Sequence, residues 1–368
     1  MKKKDTAWDG KLKILLCLAS LPLIFAACTS KSLVPFTTDV PPLVLLPAEK
    51  AGVTDKRGRF REITCAVLED HGEELPHYRD CEDALTRVGE ERGATGEPVN
   101  LGPSEKNLIA AMVPGIGWEC FETWLNYENE FAEHVGDFGY DSHIFAVDGM
   151  SGTKTNAKQI RDAILGHANE LQAGQLVLIG YSKGAPDLLE AVVAYPEIHP
   201  YIGAVVSVAG AVGGSPLANG AKESDLGLLK HIPESTCTEG DGHAVESLRP
   251  AVRRTWLNNN PLPENIPYYS LVTYPLPENI SSILKGSWKK VATVDPRNDS
   301  QVIFYDQVIP GSTLMGYLNA DHWAIAVPVA ESHPFIGRHF VNRNHYPRQA
   351  VFEAVLRFIE EDLASDKR

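Results

Sequence analysis

The sequence predicts an α/β protein with a mostly parallel central sheet and helices on both of its faces. Three observations carry that reading: a series of short unbroken apolar runs, helical patterns between them, and a Gly- and Pro-rich break late in the series. The apolar runs cover 107–113, 142–147, 175–179 and 202–208, ending at Pro114-Gly115, Asp148-Gly149, Gly180 and Ala209-Gly210. Runs without polar alternation suit strands buried on both faces. Helical patterns at 120–134, 156–171 and 185–195 separate them, and strand–helix alternation of this kind builds parallel sheets.

The remaining elements follow in order. Residues 211–266 break the rhythm with Gly, Asn and Pro and a short helical pattern at 244–256. Leu226, Leu228, Leu229 and Trp256 could line a pocket there or form the insertion's own small core. Strand patterns return at 268–274 and 313–319, and 350–363 closes the chain as a helix with one apolar face. Upstream, 57–104 reads as a helical segment with patterns at 59–69 and 80–88. The expected organisation is an export signal at 1–27, a Pro-rich tether at 28–56, the helical segment, and a main domain over 105–368.

Charge divides the chain in two. The 368 residues carry a formal −14, yet residues 1–28 are net +3, which leaves −17 on the rest. A basic head followed by the apolar run 14–27 has the layout of a secretory signal, too short to span a bilayer comfortably. The run ends Phe25-Ala26-Ala27-Cys28, which resembles the lipobox of bacterial lipoproteins, with Phe25 where Leu is usual. That resemblance implies lipidation of Cys28 and an exported, membrane-anchored protein of the bacterial cell envelope, at the outer membrane or a periplasmic face. An acidic chain without a clustered basic face gives no footprint for nucleic acid.

Beyond the head, Cys65, Cys81, Cys120 and Cys237 remain, and four cysteines allow three pairings. Cys65 and Cys81 flank a helix–turn–helix pattern and are the pair expected to bond. No C-x-x-C or H-E-x-x-H occurs, so the sequence suggests no metal and no cofactor.

Chemistry is signalled at Gly180-Tyr181-Ser182-Lys183-Gly184, a G-x-S-x-G between a buried strand and a helix. In that setting the serine sits on a sharp turn with its hydroxyl above the sheet edge. Strand, turn, helix and element order resemble the α/β-hydrolase superfamily over about 105–365, and within it bacterial lipase/esterase-like serine hydrolases. The resemblance implies a cap insertion at 211–266 and a nucleophile–acid–base order along the chain. Ser182 would be the nucleophile, with its proton taken by a late histidine that a carboxylate orients. His322 follows the strand at 313–319 and is the expected base, and His345, just before the last helix, is the alternative. Asp299, with apolar Val302 three residues on, is the expected acid, ahead of Asp306 and Glu278. The main-chain N–H groups of Ile116, in Pro114-Gly115-Ile116-Gly117-Trp118, and of Lys183 would form the oxyanion hole, while the Lys183 side chain is expected in solvent. The implied substrate is a small-molecule or lipid carboxylic ester. An amide or thioester could use the same parts, and a surface-anchored binding protein that keeps the fold without the chemistry is the non-enzymatic alternative.

Overall fold

The computed structural model describes residues 52–91, 93–122, 127–226, 236 and 239–365. The export signal, Cys28, most of the tether, Leu228, Leu229 and Cys237 lie outside the described residues. Seven strands form one sheet: β1 (Thr54–Asp55), β2 (Ile109–Val113), β3 (Asp141–Ile144), β4 (Leu176–Tyr181), β5 (Ile202–Val208), β6 (Tyr268–Thr273) and β7 (Thr313–Leu318). Their order is β1-β7-β6-β5-β4-β2-β3, and every pairing is parallel. Strands β2 and β4 through β7 are buried almost throughout, which is why they read as unbroken apolar runs.

Among the described residues, six longer helices cover the sheet: α1 (Arg57–His71), α2 (Tyr127–Gly136), α3 (Thr153–Gly166), α4 (Gly184–Ala194), α5 (Pro250–Asn259) and α6 (Arg348–Ser365). One apolar core joins α1, α2 and α6 to one face of the sheet. A second joins α3 and α4 to the other face. Helix α1 is therefore a structural layer of the main domain rather than a preface to it. Phe60 meets Phe358 of α6 edge to face at 5.9 Å, and Gly316 of β7 leaves room for the Phe60 ring. The bond between Cys65 and Cys81 ties α1 to the short helix Cys81–Ala84.

Several boundaries differ from the sequence reading. The tether ends inside the sheet, because Thr54–Asp55 pairs with β7 as an edge strand too short to show a pattern. The helix expected at 80–88 is a single turn, after which Leu85 bridges Leu318 and the chain runs extended. Within the pattern at 120–134 the described residues show the end of a 3-10 turn, Trp118–Cys120, and helix α2 from Tyr127. The one expected at 244–256 becomes Ala244–Ser247 and α5, because Pro250 lacks the N–H a continuous helix would need and instead opens a new one.

Topology positions the site. The chain passes from β2 outward to β3, then returns to β4 on the other side of β2. The carboxyl ends of β2 and β4 thus lie side by side, Val113 paired with Gly180. A switch point of this kind leaves a crevice in which open α/β sheets bind their ligands.

Candidate active site

The turn after β4 is forced by sequence and space together. Ser182 has φ +53°, a left-handed conformation that costs a residue bearing a Cβ on the order of 1–3 kcal/mol. Its neighbours hold it there: Ser182 N–H donates to Val208 O at 3.2 Å, and Ser182 O accepts from Ala185 and Ala211. Gly184 and Gly180 are required by close approach. A Cβ on Gly184 would lie 2.1 Å from Val113 O, and one on Gly180 would lie 2.6 Å from Ala185 Cα.

The structure brings Ser182, His322 and Asp299 together. His322 Nε2 lies 2.9 Å from Ser182 Oγ, and His322 Nδ1 lies 2.7 Å from Asp299 Oδ2. His322 is almost fully buried, on the loop that leaves the carboxyl end of β7. The Tyr181 hydroxyl donates to His322 O at 2.8 Å, and His322 N–H donates to Asp299 O at 2.9 Å. Asp321 secures the same loop: its carboxylate accepts from Ser281 N–H at 2.9 Å and Ala324 N–H at 2.9 Å. Burial pushes the Asp321 carboxyl above the usual range, and these amide bonds oppose that shift.

Asp299 is fully buried in a tight turn. Its Oδ1 accepts from Gln301 N–H at 2.9 Å and Val302 N–H at 2.8 Å. Its Oδ2 takes the Thr273 hydroxyl at 2.6 Å and Gln307 Nε2 at 3.2 Å, besides the histidine. Five donors therefore replace the water this carboxylate lost on folding. Val302 is buried against Ala211 and Leu248 and anchors the turn.

Other sequence candidates fall elsewhere. His345 Nδ1 meets His77 Nδ1 at 2.8 Å, and Glu278 lies in the 3-10 turn Pro277–Asn279. Asp306 is buried against Gly213, where a Cβ on the glycine would lie 2.3 Å from its Oδ1. No described residue donates to its carboxyl oxygens, and burial pushes that carboxyl up to about 7.

The loop after β2 lies against the turn that carries Ser182, since a Cβ on Gly115 would approach Ser182 Oγ to 3.4 Å. Gly117, with φ +69°, gives its N–H to Gly149 O at 3.3 Å, while Gly149 N–H donates to Glu119 Oε2 at 3.1 Å. The N–H groups of Ile116 and Lys183 have no acceptor among the described residues. Ile116 packs with Ala211, Val245, Leu248 and Leu226, an apolar patch shared between this loop and the insertion. Of the insertion's candidate linings, Leu226 joins that patch. Trp256 instead packs toward the core on the α3–α4 face, beneath the Arg253 guanidinium at 4.6 Å.

The Lys183 side chain corrects the sequence reading: it is buried, not solvated. Its Nζ donates to Asp187 Oδ2 at 2.8 Å and Oδ1 at 3.0 Å, and Asn156 of α3 donates to Oδ2 at 2.8 Å. Lys183 and Asp187 stand four apart at the start of α4, on the side that packs against α3, so the charge is paired where solvent is excluded.

Over 93% of its length the chain is 37% identical to the metagenomic carboxyl esterase MGS0156, covering 99% of that protein with a TM-score of 0.80. The chain belongs to the α/β-hydrolase-fold carboxyl esterases. Mature Bacillus licheniformis lipase BlEst2 is a fainter likeness, at 20% identity over 66% of this chain and 95% of that one, with a TM-score of 0.49. No protein-family model matches the esterase chain, and no curated protein does. Sequence reasoning missed the parts that hold this esterase site in place: Thr273, Gln307, Tyr181, Asp321 and Glu119. None carries a spacing signal, because each acts through a contact between distant segments.

Proposed function

We propose that the chain hydrolyses carboxylic esters through an acyl-enzyme on Ser182. The observation that carries this is the hydrogen-bonded line Ser182–His322–Asp299, in a chain so closely related to a carboxyl esterase. A serine hydroxyl is a poor nucleophile until its proton is removed. His322 Nε2 takes that proton as Oγ attacks the ester carbonyl, and Asp299 holds the ring through Nδ1 and stabilises the imidazolium. Charge then develops on the carbonyl oxygen. The N–H groups of Lys183 and Ile116, both without a described acceptor, receive it. His322 returns the proton to the departing alkoxide, leaving an acyl–Ser182 ester. Water, deprotonated by the same histidine, releases the acid and regenerates the serine.

Turnover of p-nitrophenyl acyl esters of graded length tests the reading. The expected result is hydrolysis by the wild type and a loss of about 10³-fold or more in Ser182→Ala. Equal rates in the two proteins would refute it.

The basic, apolar head and Phe25-Ala26-Ala27-Cys28 support export followed by lipid anchoring at Cys28. Expressed from the full sequence in a bacterial host, the protein should enter the membrane fraction, and Cys28→Ala should release it to the soluble fraction. An unchanged distribution would rule out the anchor.

A further inference from the structure

The sequence motifs suggested no metal, yet the fold gathers three ligand-type side chains far from one another in sequence. His71 ends α1, His134 lies in the last turn of α2, and Glu353 faces inward from α6. His71 Nε2 lies 2.7 Å from Glu353 Oε2, and His134 Nε2 lies 2.8 Å from the same oxygen. One potential ligand atom from each residue falls within 4.8 Å of the other two, and no other such group of His, Cys, Asp or Glu occurs among the described residues.

The surroundings orient each group toward the common point. His71 Nδ1 faces Asp70 Oδ2 at 3.1 Å, which keeps the Nδ1 proton in place and turns Nε2 inward. Glu353 Oε1 accepts from Arg357 Nε at 2.6 Å, leaving Oε2 for the cluster. A carboxylate behind a histidine and a donor on the far oxygen of a glutamate are outer-shell features of metal centres. Phe138 stacks on His71 at 5.1 Å and meets His134 edge-on at 5.4 Å, walling one side with apolar surface. Glu353 is fully buried, while the His71 side chain keeps 15% of its surface exposed, which gives an ion a route in.

We propose that His71, His134 and Glu353 bind a divalent transition-metal ion of the zinc type, clamping α1, α2 and α6 together. Two imidazole nitrogens and one carboxylate oxygen match that class, whereas calcium and magnesium prefer sites built of oxygen. Ligand atoms of a tetrahedral zinc site stand about 3.3 Å apart, so the contacts to Oε2 open by about half an ångström. On binding, His71 gives up its Nε2 proton to solvent and His134 shifts its proton from Nε2 to Nδ1, so that both rings stay neutral and both Nε2 lone pairs take up the ion. The proton on His71 Nδ1 stays on the ring, hydrogen-bonded to Asp70, and water from the exposed side completes the shell. The clamp involves neither Ser182 nor His322, and its effect is on stability.

The test titrates Zn²⁺ into chelator-treated protein by calorimetry, with thermal unfolding and the visible spectrum of the Co²⁺ form as further readouts. The wild type should bind one Zn²⁺ at this site, with Tm raised by about 5 °C at an excess of about 100 Kd. His71→Asn and His134→Asn, both at partly exposed positions and checked for folding by circular dichroism, should each weaken binding tenfold or more. Asp70→Asn should weaken it about tenfold through the outer shell. His345→Ala, at the separate His77–His345 contact, should leave binding unchanged. An absence of saturable binding, or Zn²⁺ affinity equal to the wild type in folded His71→Asn and His134→Asn, would overturn the proposal. So would its loss in His345→Ala.

Discussion

Asp299 and Asp306 lie seven residues apart on the connection between β6 and β7, and both are buried, yet the fold treats them in opposite ways. The Asp299 carboxylate receives five hydrogen bonds, two from the main chain of its own turn and three from Thr273, Gln307 and His322. The Asp306 carboxyl receives none from the described residues and has Asp295 as a like-charged neighbour, with Arg254 only partly offsetting its burial. Burial alone therefore does not decide the fate of a carboxyl group. A buried carboxylate can serve a histidine only where donors have replaced its solvent.

The comparison breaks most sharply at the histidine. Asp299→Asn keeps the shape but removes the charge that orients the ring and stabilises imidazolium, and it should lower kcat by about 10³–10⁴-fold. Asp306→Asn should leave kcat within about threefold of the wild type, because Asp306 makes no contact with His322. Steady-state kinetics on one ester decides between them, and the reverse ranking would move the acid.

A smaller effect concerns stability. The Asp306 carboxyl is raised to about 7 in the folded chain from about 4 in the unfolded one, so the folded state holds the proton more tightly. Between those values the folded form binds more protons, and stability falls as pH rises from about 4 to 7. The penalty, on the order of a few kcal/mol, is complete above pH 7 and absent below pH 4. Asp306→Asn should thus gain stability relative to the wild type at pH 8 but not at pH 4, as read from urea midpoints at the two pH values. An equal difference at both would show that Asp306 does not titrate in this way.

How much was legible before the structure follows the same division between local and distant contacts. Strand β5 runs from Ile202 to Val208 as its apolar pattern indicates, and G-x-S-x-G carries its own steric logic in the clash that a Cβ at Gly184 would make. The contact of Asp299 with His322 was within reach because the resemblance implies an acid with an apolar residue three positions on, and Val302 stands there. The Lys183 side chain was misread because nothing in the motif shows that Asp187, one turn on, and Asn156 of α3 close around it. The cluster at His71, His134 and Glu353 had no pattern at all, since its contacts span 282 and 219 residues. Thr273 and Gln307 were hidden for the same reason: their hydrogen bonds to Asp299 depend on how the ends of β6 and its loop meet.

The central claim is that Ser182 is a nucleophile activated by His322. Covalent labelling with a fluorophosphonate, read by mass spectrometry of the digested protein, tests it most directly. The account predicts one adduct, on the peptide that contains Ser182, absent from Ser182→Ala and slowed by about 10³-fold or more in His322→Ala. An unlabelled wild type, or an adduct on another residue that survives Ser182→Ala, would contradict it.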